Sequence, residues 1–441
     1  MIDREGRIPG YYDSPWPAEC GGPRRQKAPR SAGIGLRQGE RLAQVTRHNG
    51  EWNVMMVLRA PGELYLLYNN HLDSAERYAA VERLDPLTLE TISASPRLPA
   101  GGHTWCGGIV VHENGYLYAN NGNRCFKLDR DCQVVAQAVL PQDAAYNSLL
   151  VMHDGMLVMK NIERDASRAS KFVVLEAERL EQVGPEIAIP EVSMGRIAMG
   201  TDAGGQRVYV PGSHHFYRYR YESGTLALDE GWQPLYRTLP DDAQSFSWDS
   251  CITPGACWCQ DNGDNEANVA IFSTPQVGAV RPRRGAAFHG LASSPQKLIR
   301  IDTANTADGA RMEVLDMFGL PRGSIFSPPG FDPVRQVAIG FDTGNGWIGG
   351  WRHTAGGFEK LWAKPCRISM QMILFPDTGE VMVNDFQRGR DELVLLDVET
   401  GAEIGRVATQ STTANGMFLS AGWHRDVMYC SIGSIARIFV E

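Results

Sequence analysis

The chain has 441 residues, a formal charge of −8 and a sequence pI near 5.8. This balance argues against nucleic-acid and anionic-membrane partners, because both require a basic face. Hydrophobic residues make up 43% of the chain and charged residues 21%, and 47 Gly and 25 Pro indicate a globular protein with many turns.

The start of the chain and its cysteines favour a cytoplasmic location. Residues 1–5 are polar and lack the apolar segment of a secretory signal. The longest apolar stretch, residues 53–58, is far too short to span a bilayer. Nine cysteines, an odd number spread thinly along the chain, are typical of reduced thiols rather than a disulfide framework.

Residues 1–40 precede the first repeat and are expected to form an N-terminal arm, with residues 41–441 as the folded body. The arm carries the one basic cluster of the sequence, Arg24, Arg25, Lys27 and Arg30, interleaved with prolines. Two interpretations are open: contact with an acidic partner, or a solvated arm that lies across the body, of which the second is preferred.

A repeating unit follows the arm. Its clearest copy has short β-rich runs at residues 109–112, 116–119, 124–129 and 133–139, separated by Gly, Asn and Asp turns, which predicts a four-stranded antiparallel meander. Further copies have their first strands near Met55, Leu149, Arg196, Ser250, Ser324, Met372 and Met417, at a spacing of roughly 40 to 75 residues.

The repeats predict an all-β fold, a single closed β-propeller of about eight four-stranded blades, with seven as the alternative. The last copy ends at Glu441 after only three strands, and an open blade edge invites pairing with other molecules. Residues 41–46 precede the first inner strand and are available as the missing strand. The last blade is therefore expected to be completed by an N-terminal strand.

Residues 392–404, with Asp397 and the pair Thr400–Gly401, resemble the third strand, tight turn and fourth strand of quinoprotein-like (PQQ-type) propeller repeats. Residues 83–90 are a weaker copy. The resemblance implies the propeller architecture alone, because the blade-docking Trp expected after the glycine is replaced by Arg406 and Val407. The chain also lacks the adjacent cysteines of quinone-dependent dehydrogenases. No quinone, nucleotide or haem cofactor is expected.

The residues that precede the inner strands should converge at one mouth of the central channel. Four of them supply the oxygen ligands that a divalent cation such as Ca²⁺ prefers, and form the predicted metal site: Asn53, Asn147, Asp249 and Asn415. A cation there would polarise a bound carbonyl group. Propeller lactonases have a similar column of residue types. The alternative is that these groups cap strand ends and bind channel water.

Further mouth residues complete the predicted active site. His103 is the candidate general base, and the predicted catalytic set is His103, Asp249, Arg322 and Tyr146. The predicted substrate-binding set is Trp105, Trp248, Arg196, Arg367 and Gln371. Two interpretations of Arg196, Arg322 and Arg367 are open. They bind a carboxylate or phosphate group of the substrate, or they form salt bridges between blades.

Two segments exceed ordinary hairpin length, residues 273–296 and residues 342–354. Long loops on a closed scaffold are expected as lids over the channel or as contacts in a homo-oligomer.

Together these features predict an enzyme that acts on a small polar substrate at the channel mouth, a lactonase-like hydrolase or a lyase, with metal assistance as an option. The alternative is a non-catalytic ligand-binding or protein-interaction propeller, favoured by the absence of a specific catalytic motif. A channel blocked by bulky side chains would support the alternative.

Overall fold

The computed structural model describes residues 7–70, 74, 76–103, 105–163, 165, 167–266, 289–304, 309–387, 389–411 and 416–441. These residues form 31 β-strands and one 3-10 turn, Glu19–Gly21. The strands build six four-stranded antiparallel sheets and one sheet of seven strands.

Each four-stranded sheet is a meander of consecutive strands, ordered from the channel outward. In chain order the six sheets consist of β6–β9 (Cys106–Val111, Leu117–Asn121, Arg124–Leu128, Val134–Val139), β10–β13 (Tyr146–Val151, Leu157–Asn161, Lys171–Leu175, Ile187–Ala188), β14–β17 (Ala198–Asp202, Gly205–Pro211, Phe216–Glu222, Thr225–Leu228), β18–β21 (Ser250–Thr253, Ala256–Gln260, Lys297–Asp302, Met312–Asp316), β22–β25 (Gly330–Asp332, Val337–Asp342, Trp347–Thr354, Gly357–Pro365) and β26–β29 (Met372–Phe375, Glu380–Gln387, Arg390–Asp397, Glu403–Ala408).

The seven-stranded sheet contains two blades, because each half of its two longest strands, β1 and β31, acts as a separate blade strand. Its strands are β1–β5 (Leu42–Leu58, Leu64–Asn69, Tyr78–Leu84, Thr91–Ala94, Leu98–Pro99), β30 (Gly416–Ala421) and β31 (Val427–Val440). Residues 52–58 of β1 pair with β2 as the inner strand of blade 1, and residues 42–48 pair with residues 434–440 of β31. The first half of β1 is thus the outer strand of blade 8.

The ring therefore has eight blades, and the predicted closure by an N-terminal strand is confirmed. The register runs from Leu42 opposite Val440 to His48 opposite Ser434. This closure covers the edge that the C-terminal blade would otherwise expose to other chains.

The hydrophobic core lies between neighbouring blades. One cluster joins Val158 and Phe172 of blade 3 to Met199 and Val208 of blade 4, and comparable clusters join the other pairs of blades. Inner strands are buried on both faces, whereas outer strand β9 alternates between half-buried and exposed side chains. The period of two in the outer strands follows from the one face that they turn to solvent.

An aromatic hydrogen bond to the next blade recurs around the ring. Each donor side chain reaches a backbone carbonyl in or beside the turn between the third and fourth strands of the following blade. The pairs are Tyr65 Oη with Arg130 O at 2.9 Å, Tyr118 Oη with Ala177 O at 2.7 Å, Trp232 Nε1 with Asp302 O at 2.9 Å, and Trp362 Nε1 with Val398 O at 2.8 Å.

The turn that resembles quinoprotein-like repeats has the expected tight geometry. The Asp397 carboxylate accepts hydrogen bonds from the backbone N–H groups of Glu399 and Thr400, and Gly401 has a φ of 67°. A Cβ on Gly401 would lie 2.4 Å from the Trp362 ring. Trp362, from the fourth strand of blade 6, thus docks on the turn of blade 7.

Two predictions in blade 6 are wrong. The inner strand begins at Gly330 rather than near Ser324, because the intervening Pro328 and Pro329 cannot supply ladder N–H groups. Residues 342–354 are not a long loop: after a turn at residues 343–346 they form strand β24. Most of the other predicted loop, residues 273–296, lies outside the described residues, since residues 273–288 are not described.

In the described part of the chain, no helix is long and apolar enough to cross a membrane. All nine cysteines are buried and unpaired.

Candidate functional site

The N-terminal arm enters the central channel. We call the face where the inner strands begin the top face and the face where they end the bottom face. At the bottom face, the arm's backbone carbonyls accept hydrogen bonds from the inner strands, for example Trp16 O from Leu58 N at 2.8 Å and Lys27 O from Leu374 N at 2.9 Å. Trp16 is 1% exposed.

The tip of the arm reaches the residues that precede the inner strands at the top face. Cys20 Sγ lies 3.7 Å from Gln371 Oε1, and Glu19 Oε1 lies 3.2 Å from Arg196 Nε. The arm therefore runs inside the channel from the bottom face to the residues that precede the inner strands at the top face. The interpretation of this segment as a solvated arm is wrong.

Four buried charges form a cluster in the channel. Arg25 Nη2 lies 2.5 Å from Glu19 Oε1 and 3.3 Å from Asp249 Oδ2, while Arg196 Nη1 lies 3.8 Å from Asp249 Oδ2. All four side chains are at most 6% exposed. Two guanidinium groups and two carboxylates cancel in formal charge, so the cluster is a buried ion network without net charge.

Aromatic side chains close over this cluster. The Arg196 guanidinium lies 5.6 Å from the ring centroids of both Trp105 and Phe418. Trp105 packs edge-on against Trp52 at 6.1 Å, and Trp248 packs against Phe326 at 5.9 Å. The structure thus brings together four of the predicted residues, Asp249, Arg196, Trp105 and Trp248, in a buried arrangement.

The predicted metal ligands are held by hydrogen bonds within the protein. Asn53 Nδ2 donates to Ser431 O at 2.9 Å, and its Oδ1 accepts from Asn49 Nδ2 at 2.7 Å. Asn147 Nδ2 donates to Met194 O at 2.8 Å. Asn415 lies outside the described residues. Among the described residues, no group of three His, Cys, Asp or Glu side chains is arranged to hold a metal ion.

The glycines of the mouth have a packing role. A Cβ on Gly107 would lie 2.1 Å from Tyr146 O, and one on Gly195 would lie 1.7 Å from Trp248 O. Each glycine thus allows one blade to approach the backbone of the next. These two glycines therefore reflect close contact between blades rather than a ligand site.

Four other predicted site residues have their own surroundings and partners. His103 is 22% exposed, with Nε2 at 3.4 Å from Asp143 Oδ1. Arg322 is 54% exposed and pairs with Glu266 at 3.2 Å, and Arg367 is exposed. Tyr146 is buried, its hydroxyl accepts from Gln142 N at 3.0 Å, and burial raises its pKa. Their catalytic and substrate-binding roles stay predictions.

Burial also controls the titration of groups in the channel. It lowers the pKa of Lys27 to about 8 and that of Lys160 to about 7, the nearby Asp249 opposing both shifts. Burial raises the pKa of the Cys20 thiol to about 11, so this thiol is protonated near neutral pH and is a poor nucleophile.

A cavity of about 340 Å³ opens between the arm and the bottom ends of blades 3, 4 and 7. We call it the arm pocket. Its polar lining includes Arg7, Arg24, Arg25, Gln26, Arg30, His153 and Thr201, and its apolar lining includes Ile8, Pro9, Pro23, Pro29, Met199 and Pro376. The sequence indicated the arginines as a basic cluster but not the cavity, which depends on how the arm seats in the ring.

No family model matches the chain, and no curated protein matches it. Solved structures match it in fold. The Dos1 propeller has a TM-score of 0.61 at 9% identity, covering 93% of this chain and 96% of its own. Sqt1 of Chaetomium thermophilum has a TM-score of 0.56 at 8% identity, with coverages of 98% and 97%. A streptogramin B lyase has a TM-score of 0.46 at 11% identity, with coverages of 91% and 98%. At these identities the likeness shows the β-propeller fold alone.

Proposed function

We propose that this protein is a non-catalytic binding propeller, whose channel is a structural core and whose recognition surfaces lie outside it. The observation that carries the proposal is the arm inside the channel. The segment from Trp16 to Lys27 occupies the space in which a channel-mouth enzyme would hold its substrate.

The chemistry of the channel supports this proposal. A catalytic carboxylate must reach its substrate within hydrogen-bond distance. The side chain of Asp249 is 0% exposed, and its oxygens face Arg25 and the backbone N–H of Arg196 at 2.8 Å. Removal of one member of such a buried ion network leaves an unpaired charge, which makes Asp249 a stability residue under this proposal.

The proposal is tested with Asp249→Asn in the full-length protein. The variant should lower the free energy of unfolding by about 3–5 kcal/mol, as measured by urea denaturation. Neither the wild type nor the variant should turn over a panel of lactones, aryl esters and β-elimination substrates above the rate in buffer. Asp202→Asn, at a surface turn where the carboxylate is 44% exposed, is the matched control and should leave stability nearly unchanged.

Turnover by the wild type that is lost in folded Asp249→Asn would refute the proposal. So would a stoichiometric divalent metal, measured by elemental analysis, that is absent from this variant and retained in Asp202→Asn.

A rim hydrolase is the second candidate function. The half-buried His103 beside Asp143 is the observation that favours it, because an imidazole oriented by a carboxylate can act as a general base. Turnover in the same panel that disappears in His103→Ala but persists in Asp249→Asn would support this candidate.

A further inference from the structure

The arm pocket is lined by positively charged side chains. Four arginines line it, and its lining contains no aspartate or glutamate. The whole chain, by contrast, has a formal charge of −8. Positive groups concentrated around a concave site raise the local concentration of anions.

The four arginines differ in how far they are neutralised. Arg25 is buried and paired with Glu19 and Asp249 in the channel. Arg7 lies 3.3 Å from Glu113, and Arg30 lies 2.9 Å from Asp13, whose carboxylate is 72% exposed. Arg24 is exposed, and no ion pair joins it to a carboxylate of the described chain.

The charge of Arg24 also acts on His153, which lines the same pocket. The pKa of His153 is lowered by burial and by the charge of Arg24. Asp154 opposes this shift, but the neutral imidazole is still favoured. His153 is therefore an uncharged wall of the pocket near neutral pH, and it can hydrogen-bond a ligand.

The pocket is held in place by the propeller itself. Pro23 O accepts a hydrogen bond from Met199 N at 2.8 Å, and Arg24 O accepts one from Ile252 N at 2.9 Å. Lys27, three residues further, is buried and donates to Ser327 Oγ at 2.7 Å. A site whose backbone is anchored on both sides of Arg24 loses little conformational entropy when it binds a ligand.

The size and the remaining walls define the ligand further. A volume of about 340 Å³ lies in the range of small-molecule sites. Pro23, Pro29 and Met199 provide apolar surface beside the guanidinium groups. A phosphate group suits several arginines better than a carboxylate does, because it presents three terminal oxygens to donors in different directions.

We propose that the arm pocket binds a small phosphorylated molecule, with the phosphate held among Arg7, Arg24 and Arg30 and the remainder against the proline and methionine wall. This inference rests on the proposed binding function and names the ligand class of one recognition surface. A free polycarboxylate is the competing anion.

The test is isothermal titration calorimetry on the full-length protein at constant ionic strength, with inorganic pyrophosphate, adenosine monophosphate and citrate as probes. At least one phosphorylated probe should bind more tightly than citrate. Arg24→Gln should weaken that binding by about tenfold or more, as expected for the loss of a charge-assisted hydrogen bond. Arg179→Gln, an arginine that is 78% exposed outside the pocket, should bind as the wild type does.

Three results would overturn the inference: no binding of either phosphorylated probe, equal affinity in Arg24→Gln and the wild type, or tighter binding of citrate. A wild type that binds the probes and also turns over the substrate panel would instead refute the proposed function and leave the phosphate site standing.

Discussion

Buried charged side chains determine much of this protein's behaviour at the scale of single residues. In the channel, desolvation disfavours the charged form of Arg25, yet Glu19 and Asp249 outweigh it and raise its pKa. Arg25 therefore stays charged in the buried channel. The residues of the buried cluster suit a role in holding the arm.

Asp391 presents the opposite case, between blades 7 and 8. Its carboxyl group accepts hydrogen bonds from Asn384 Nδ2 at 3.0 Å, from Thr409 Oγ1 at 3.4 Å and from the Tyr429 hydroxyl. Burial raises its pKa from 3.8 to about 6, although these hydrogen bonds act in the other direction. The group therefore carries a proton more readily in the folded than in the unfolded chain.

This shift predicts a pH dependence of stability. Because the folded pKa lies above the unfolded one, the stabilising contribution of Asp391 is complete below pH 3.8 and is lost as the pH rises through 6. Between pH 4.5 and 7 the wild type should lose about 1–3 kcal/mol of stability relative to Asp391→Asn. Urea denaturation of both proteins across this range measures the difference, and parallel stability curves would contradict the assignment.

At the scale of elements, the sequence predicted the strands well where turns and alternating residues separate them. Blade 2 and the closing strand at residues 42–48 are examples. It failed at blade 6, where Pro328 and Pro329 delay the start of the inner strand from the predicted Ser324 to Gly330. Residue type alone does not separate an asparagine that binds a metal ion from one that caps a strand end, and Asn53 and Asn147 both donate to backbone carbonyls.

Among the contacts between blades, the docking of Trp362 on blade 7 can be tested by two substitutions. Trp362→Phe keeps most of the ring contact with Gly401 and loses the hydrogen bond to Val398 O, so it should cost about 0.5–1.5 kcal/mol. Trp362→Ala also opens a cavity and should cost about 3–5 kcal/mol.

Urea denaturation of the two Trp362 variants measures both costs. Equal destabilisation by the two substitutions would mean that ring packing contributes nothing, which contradicts the docking role.

At the scale of the whole molecule, the arm and the ring closure belong to one arrangement. The arm is followed directly by the strand that closes blade 8, so the segment that fills the channel is tethered to the segment that completes the ring. The sequence predicted the ring because the pattern of four short strands and turns repeats along the chain. They did not predict the filled channel, because contacts such as Lys27 with Ser327 join residues 300 positions apart.

Seating of the arm in the channel is the central claim, and limited trypsin digestion of the native full-length protein tests it most directly. Residues 24–30 contain four trypsin sites, Arg24, Arg25, Lys27 and Arg30, and none of the four is followed by a proline that would block cleavage. Since Arg25 and Lys27 are buried, mass spectrometry should find peptides cleaved at them only when the whole propeller unfolds. Rapid cleavage at Arg25 or Lys27 in the folded protein would show that the arm lies outside the channel.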